Sequence, residues 1–147
     1  MHVDISITPI GVVRNSITVH KKEDWQSVIS EIIVNDNFTE ALNGIDGFSH
    51  IIVIYWMHET LQSERSIMKV HPRRDPKLPL LGVFATRTPT RPNPIGVATV
   101  KLLERKENVL KVRGLDAING TPVIDIKPHI PGSDSPPGAK VPDWLNK

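Results

Sequence analysis

The chain has 147 residues, 39% of them hydrophobic, with no cysteine and a formal net charge of +2. That length and composition fit one globular domain with its own buried core. The missing cysteines exclude disulfides and thiolate metal sites and point to an intracellular protein, and the mildly basic balance does not by itself imply nucleic acid.

The start, MHVDISITPIGVV, lacks the basic opening and uninterrupted apolar core of a secretory signal. The longest apolar run, residues 51–57, is too short to span a membrane. The expected protein is therefore soluble and cytoplasmic. Residues 5–14 and 28–34 read as the first two strands. Residues 35–44 form a short helical candidate with Asn35, Asp36 and Asn37 as caps, and Gly44 and Gly47 then break the chain. Residues 49–57, SHIIVIYWM, are apolar on both faces and rich in β-branched side chains. They predict a central strand buried on both sides, with His50 as a hydrogen-bonded core histidine. A further strand is expected over 80–86. Residues 95–104 and 109–115 pair as a hairpin around 105–108, and 121–127 is the last strand, joined to its predecessor across Asn119-Gly120. After Pro128 the composition, PGSDSPPG, predicts an irregular tail, and Trp144 and Leu145 suggest that it docks. The expected organisation is one domain over 1–131 and a tail over 132–147.

Short strands, hairpin turns, thirteen prolines and no strand–helix alternation define a mainly β protein: a single antiparallel sheet or barrel with short helical segments. No G-x-G-x-x-G and no Walker A sequence occurs, so a Rossmann fold is not expected.

The stretch with the most chemistry is GVFATRTPTRPNPIGV, residues 82–97. Pro89, Pro92 and Pro94 forbid a helix and fix three φ angles. Arg91 and Asn93 precede prolines and are held extended. Such a loop is stiff before anything binds, which lowers the entropy lost on binding. Arg87 and Arg91 offer planar forks suited to carboxylate or phosphate. The functional reading is an anion clamp at a sheet edge; the plainer reading is a rigid connector with solvated arginines. From residue 65 to 77, Arg65, Lys69, Arg73, Arg74 and Lys77 face one acid, Asp75, which makes either a solvated loop or a phosphate-backbone surface. His58-Glu59, just past the buried strand, fits the rim of a cleft. His50, His58 and His71 have no metal-ligand spacing, so no metal is expected. Asp125 and Lys127 share a strand face, as a salt bridge or as pocket groups in which Asp125 takes a proton.

GVFATRTPTRPNPIGV, with GFSHIIVIYWMHE (47–59) and NGTPVIDIKPHIP (119–131), resembles the TrmO family of S-adenosylmethionine-dependent tRNA N6-adenosine methyltransferases, over about residues 9–131. The resemblance implies a single β-barrel, a homodimer, and methylation of N6 of the threonylcarbamoyl-modified adenosine beside the anticodon of threonine tRNA. It implies that His58, Glu59, Phe84, Arg87, Val97, Leu115, Asp116, Ala117 and Ile118 contact the cofactor, Arg87 at its carboxylate and Asp116 at its ribose or ammonium. Arg91 and Asn93 would position the target nucleotide, Asp125 would accept its proton, and Arg73, Arg74, Lys77 and Lys127 would hold the RNA. A non-catalytic S-adenosylmethionine- or RNA-binding module is the alternative. Three features depart from the family. His129 stands where tyrosine is common, HKKEDWQ is a loose counterpart of a Pro-Arg-Gln segment, and the C-terminal domain of many bacterial members is not expected.

Overall fold

A computed structural model describes residues 2–20 and 24–146; within HKKEDWQ, residues 21–23 lie outside the described residues. The backbone forms two compact units, one of Met1–His58 and Ile95–His129, the other of Glu59–Pro94 and Ile130–Lys147.

The first unit is a closed antiparallel barrel, so the mainly β, non-Rossmann fold read from the sequence is what forms. Its strands are β1 (Gly11–Arg14), β2 (Ile29–Val34), β3 (His50–Trp56), β6 (Ile95–Lys106), β7 (Val109–Arg113) and β8 (Pro122–Pro128), in the order β1-β2-β7-β6-β3-β8. Alternation drives closure: in β2 Ser30, Ile32 and Val34 point inward, in β3 Ile51, Val53 and Tyr55, and in β7 Leu110 and Val112. Register shifts between Ile54 and Tyr55 against β8, and between Leu102 and Glu104 against β7, supply the bends a closed sheet needs.

Several expectations change. The first strand begins at Gly11, not residue 5: Pro9 has no N–H to donate, and ladder pairing with β8 starts where Ile10 N–H donates to Val123 O at 2.8 Å. β3 is not buried on both faces. Its burial alternates strictly, and His50 lies on the half-buried outer face, its Nδ1 2.8 Å from Ser49 Oγ. The β6–β7 hairpin has a tighter turn than predicted, Glu107-Asn108, with Glu107 in the left-handed region at φ 55°. β7 and β8 are not partners: β8 lies between β1 and β3. The Asn119-Gly120 turn leads into β8 alongside β1, with Gly120 N–H donating to Val13 O at 2.8 Å. The 35–44 segment is a 3-10 helix over Asp36–Leu42, and no Asn35 side-chain cap forms.

The second unit carries β4 (Lys69–Val70) and β5 (Leu81–Gly82), paired antiparallel. The strand expected over 80–86 shrinks to these two β5 residues because the chain enters a 3-10 turn at Val83–Ala85, closed by Thr86 N–H on Val83 O at 3.2 Å. Residues after 130 are less irregular than expected, with α1 (Pro131–Asp134) and a 3-10 turn over Asp143–Asn146.

Candidate functional site

On the barrel, the loop after β7 carries four predicted cofactor contacts. Leu115, Ala117 and Ile118 are 0%, 4% and 9% exposed, and Asp116 alone turns outward. The side chains of Leu115 and Ala117 belong to the barrel core and that of Ile118 is buried, so what the three offer a ligand is backbone. That backbone is locked. Tyr55 Oη donates to Asp116 O at 2.8 Å, Asn15 Nδ2 to Ala117 O at 2.9 Å, and Thr121 Oγ1 to Ile118 O at 2.7 Å. On the outward side, Asp116 Oδ1 lies 3.1 Å from His20 Nε2.

Asn15 is a hub the sequence reading missed. Its Nδ2 also donates to the buried Ser30 Oγ at 2.9 Å, its Oδ1 accepts from Ile17 N–H at 2.9 Å, and its own N–H donates to Asn119 Oδ1 at 3.1 Å. An Asn directly after a strand is a turn-maker by type, which is the one signal the sequence offered. Asn15→Ala leaves the Ala117 carbonyl and the Ser30 hydroxyl unpaired. We expect a loss of about 2 kcal/mol, read as a lower urea midpoint at unchanged slope.

Across the outer wall, Val97, Ile54 and Asp125 stand in one row over β6, β3 and β8, with Thr99, Ile52 and Lys127 in the next. Val97 is 43% exposed. Asp125 and Lys127 share a face and pair, Oδ2 to Nζ at 3.1 Å, while Asp125 Oδ1 accepts from Ile126 N–H at 2.9 Å. His58 is exposed at the end of β3.

In the second unit, the proline loop is rigid for reasons beyond proline. Thr86, Thr88 and Thr90 alternate, and each hydroxyl is used. Thr86 Oγ1 donates to Val83 O at 2.8 Å and accepts from Thr88 N–H at 3.2 Å. Thr88 Oγ1 accepts from Thr90 N–H at 3.2 Å, and Thr90 Oγ1 donates to Glu64 Oε2 at 2.8 Å. Arg91 Nη1 donates to the Thr86 and Thr88 carbonyls at 3.1 and 3.0 Å. Arg65 Nε donates to Pro92 O at 2.6 Å, and its Nη2 makes a longer 3.4 Å contact to Asn93 Oδ1. Arg91 and Asn93, expected to face the nucleotide, are thus engaged within their own unit, and Arg65 leaves the basic surface to brace the loop. Glu64 was missed, because nothing near it in sequence announces its partner 26 residues away. Arg87 is the opposite case. It is exposed, and its guanidinium has no hydrogen-bond or ion-pair partner among the described residues. Phe84, three residues earlier, is 80% exposed, and Glu59 is exposed at the start of the unit.

Arg73 and Arg74 sit in consecutive left-handed conformations, φ 58° and 55°, which cost about 1–2 kcal/mol per residue for side chains with a Cβ. The turn is held by Asp75 Oδ1, which accepts from Lys77 N–H at 2.9 Å, and by His71 Nδ1, which donates to Leu78 O at 2.9 Å. Arg73, Arg74 and Lys77 are all exposed. Arg73 Nη2 also reaches Leu145 O at 3.4 Å, the docking contact expected of the tail.

A groove of about 510 Å³ on the barrel's outer wall contains none of the predicted residues. Arg14, Glu31, Lys111 and Glu104 cross it in register with alternating sign, so it neutralises itself. Among the described residues no three acidic or histidine side chains gather as a metal set, and no helix is long and apolar enough to cross a membrane.

The first unit is thus a closed antiparallel barrel, not a Rossmann fold, with a hydrogen-bonded loop that presents one outward carboxylate. The family model for the tRNA-methyltransferase O N-terminal domain matches residues 16–135, and the chain belongs to that family. A probable S-adenosyl-L-methionine-binding protein of Methanothermobacter thermautotrophicus is 45% identical, over 90% of this chain and 95% of its own length. The tRNA (adenine(37)-N6)-methyltransferase of Escherichia coli is 40% identical over 74% of this chain, which spans 47% of that enzyme. The crystal structure of TrmO from P. aeruginosa superposes with a TM-score of 0.79 at 28% identity, covering 98% of this chain and 63% of that one.

Proposed function

We propose that the chain transfers the methyl group of S-adenosylmethionine to N6 of adenosine 37 in tRNA, the reaction named for its Escherichia coli relative. The observation that carries this is Arg87: an exposed guanidinium without a partner among the described residues, on a loop where the side chains of Thr86, Thr88, Thr90 and Arg91 are all engaged. The acceptor we assign is the threonylcarbamoyl-modified adenosine of threonine tRNA, and the working form is a cytoplasmic homodimer.

The residues fit the cofactor's chemistry. Arg87 suits its carboxylate. Asp116 suits hydroxyl or ammonium donors. Exposed Val97 and the backbone of residues 115–118 suit adenine, while His58, Glu59 and Phe84 are assigned flanking contacts. Bound S-adenosylmethionine supplies an electrophilic methyl group on a sulfonium. What the chain contributes is alignment of the attacking nitrogen, the larger part of the rate in such a displacement. Arg91 and Asn93 serve this by fixing the loop. Asp125 is assigned the departing proton: each carboxylate oxygen keeps a second lone pair beyond its present contact. Lys127 and the Arg73–Arg74–Lys77 surface take RNA phosphates.

The test is methyl transfer from labelled S-adenosylmethionine to total tRNA from cells with and without the threonylcarbamoyl modification, with the product nucleoside identified by mass. Label confined to modified threonine tRNA is the expected result. Intact cofactor binding without label favours a binding module, the reading that the name of the Methanothermobacter relative supports. Reversing both charges, as R73E/R74E, should weaken tRNA binding at low salt and flatten the slope of log affinity against log salt by about 2, with S-adenosylmethionine affinity unchanged.

A further inference from the structure

Asp116 is the one side chain that the loop of residues 115–118 turns outward, and it is not left to rotate. His20 Nε2 lies 3.1 Å from its Oδ1, with the two side chains 64% and 49% exposed. The imidazole is itself supported: its ring centre is 5.4 Å from that of Trp25, tilted by 40°, and Trp25 is buried at 8% exposure. Exposed long-range contacts of this kind contribute little to stability, and the loop backbone is already held by Tyr55, Asn15 and Thr121. The contact therefore acts on the carboxylate and not on the fold.

We propose that His20 is a positioning residue for cofactor binding, fixing the Asp116 carboxylate so that its remaining lone pairs face a hydrogen-bond-donating group of the ligand. This rests on the reading of residues 115–118 as a cofactor-binding loop. With Nε2–H donating to Oδ1, the carboxylate rotamer is set in advance, and Oδ2 is left for a ribose hydroxyl or the ammonium. Fixing one side chain before binding saves an ordering cost that corresponds to a threefold to tenfold effect on affinity, to order of magnitude.

The experiment is calorimetric titration of the full chain with S-adenosylmethionine and, separately, with 5′-methylthioadenosine, which keeps the ribose and adenine and lacks the amino-acid end. The variants are His20→Ala, His20→Gln and Asp116→Ala. The expected result is affinity about threefold to tenfold weaker in His20→Ala, restored in His20→Gln because its Nε2 can donate as the imidazole does, with the melting temperature unmoved in both. A loss seen with both ligands assigns the carboxylate to the ribose hydroxyls; a loss with S-adenosylmethionine alone assigns it to the ammonium. Wild-type affinity in His20→Ala, or no rescue by glutamine, overturns the positioning role if Asp116→Ala still loses binding. If Asp116→Ala also binds as wild type, the cofactor reading of the loop fails, and the positioning role with it.

Discussion

Gly96→Ala should lower the melting temperature by about 5–10 °C. Gly96 stands directly opposite Tyr55 in the β3–β6 register. A methyl group there would sit on the Tyr55 ring, 2.6 Å from Cζ, and Tyr55 is itself 6% exposed with no room to retreat. Relief requires the ring to move, and the ring carries the hydroxyl that donates to Asp116 O. The cost therefore has two parts. Overpacking contributes about 1–3 kcal/mol, and a buried donor and acceptor left unpaired add about 1–3 kcal/mol if the hydroxyl is pulled away. The same substitution at Gly47, where an added methyl meets nothing within 4 Å, provides the control and should leave the melting temperature within about 2 °C of wild type. Thermal melts of the two variants, followed by S-adenosylmethionine titration of Gly96→Ala, separate packing from loop geometry. Comparable melts for the two would show that Tyr55 is not held as described.

The Gly96–Tyr55 pair also marks where sequence reading stopped. Apolar runs rich in β-branched residues and separated by turn signals were enough to place six barrel strands approximately and to exclude a Rossmann fold. Beyond the β6–β7 hairpin their pairing was not legible, because antiparallel order depends on contacts between residues distant along the chain. Asn119-Gly120 is a turn by local chemistry, but whether the next strand folds back on β7 or crosses to β1 and β3 is decided by which inward face it completes. SHIIVIYWM read as doubly buried because isoleucine, tyrosine and tryptophan are apolar at every position. In the barrel only alternate ones face inward, and Ile52, Ile54 and Trp56 remain half-exposed.

The site divides in a similar way. Residue type and proline spacing marked the 86–94 loop as stiff, and it is. They could not rank its two arginines, since Arg87 and Arg91 have the same chemistry and nearly the same neighbours. The alternation of Thr86, Thr88 and Thr90 held the clue: a run of side-chain acceptors and open carbonyls attracts a guanidinium, and the geometry gives that place to Arg91. The roles of Asn15, Glu64 and His20 were not legible because each is defined by a partner 26 to 102 residues away.

From that division comes the sharpest expectation for ligand binding. Arg87→Ala should weaken S-adenosylmethionine binding by about 10- to 100-fold, the equivalent of a lost charge-assisted pair of about 1.5–3 kcal/mol, with no change in melting temperature. The guanidinium has no partner among the described residues, so its loss leaves their hydrogen bonds intact. Arg91→Ala should do the reverse first, lowering stability because the Thr86 and Thr88 carbonyls lose their donor. Arg87→Lys, which keeps the charge without the planar fork, should fall between wild type and alanine. The discriminating ligand is 5′-methylthioadenosine, which has no carboxylate. If Arg87 recognises that group, Arg87→Ala binds it as wild type does, and the affinity difference between the two ligands collapses in the variant. If Arg87→Ala weakens both equally, Arg87 acts elsewhere on the nucleoside or on the loop. An Arg87→Ala protein that binds S-adenosylmethionine as wild type does would instead make the exposed fork an RNA contact, in keeping with the exposed Arg73, Arg74 and Lys77 of the same unit.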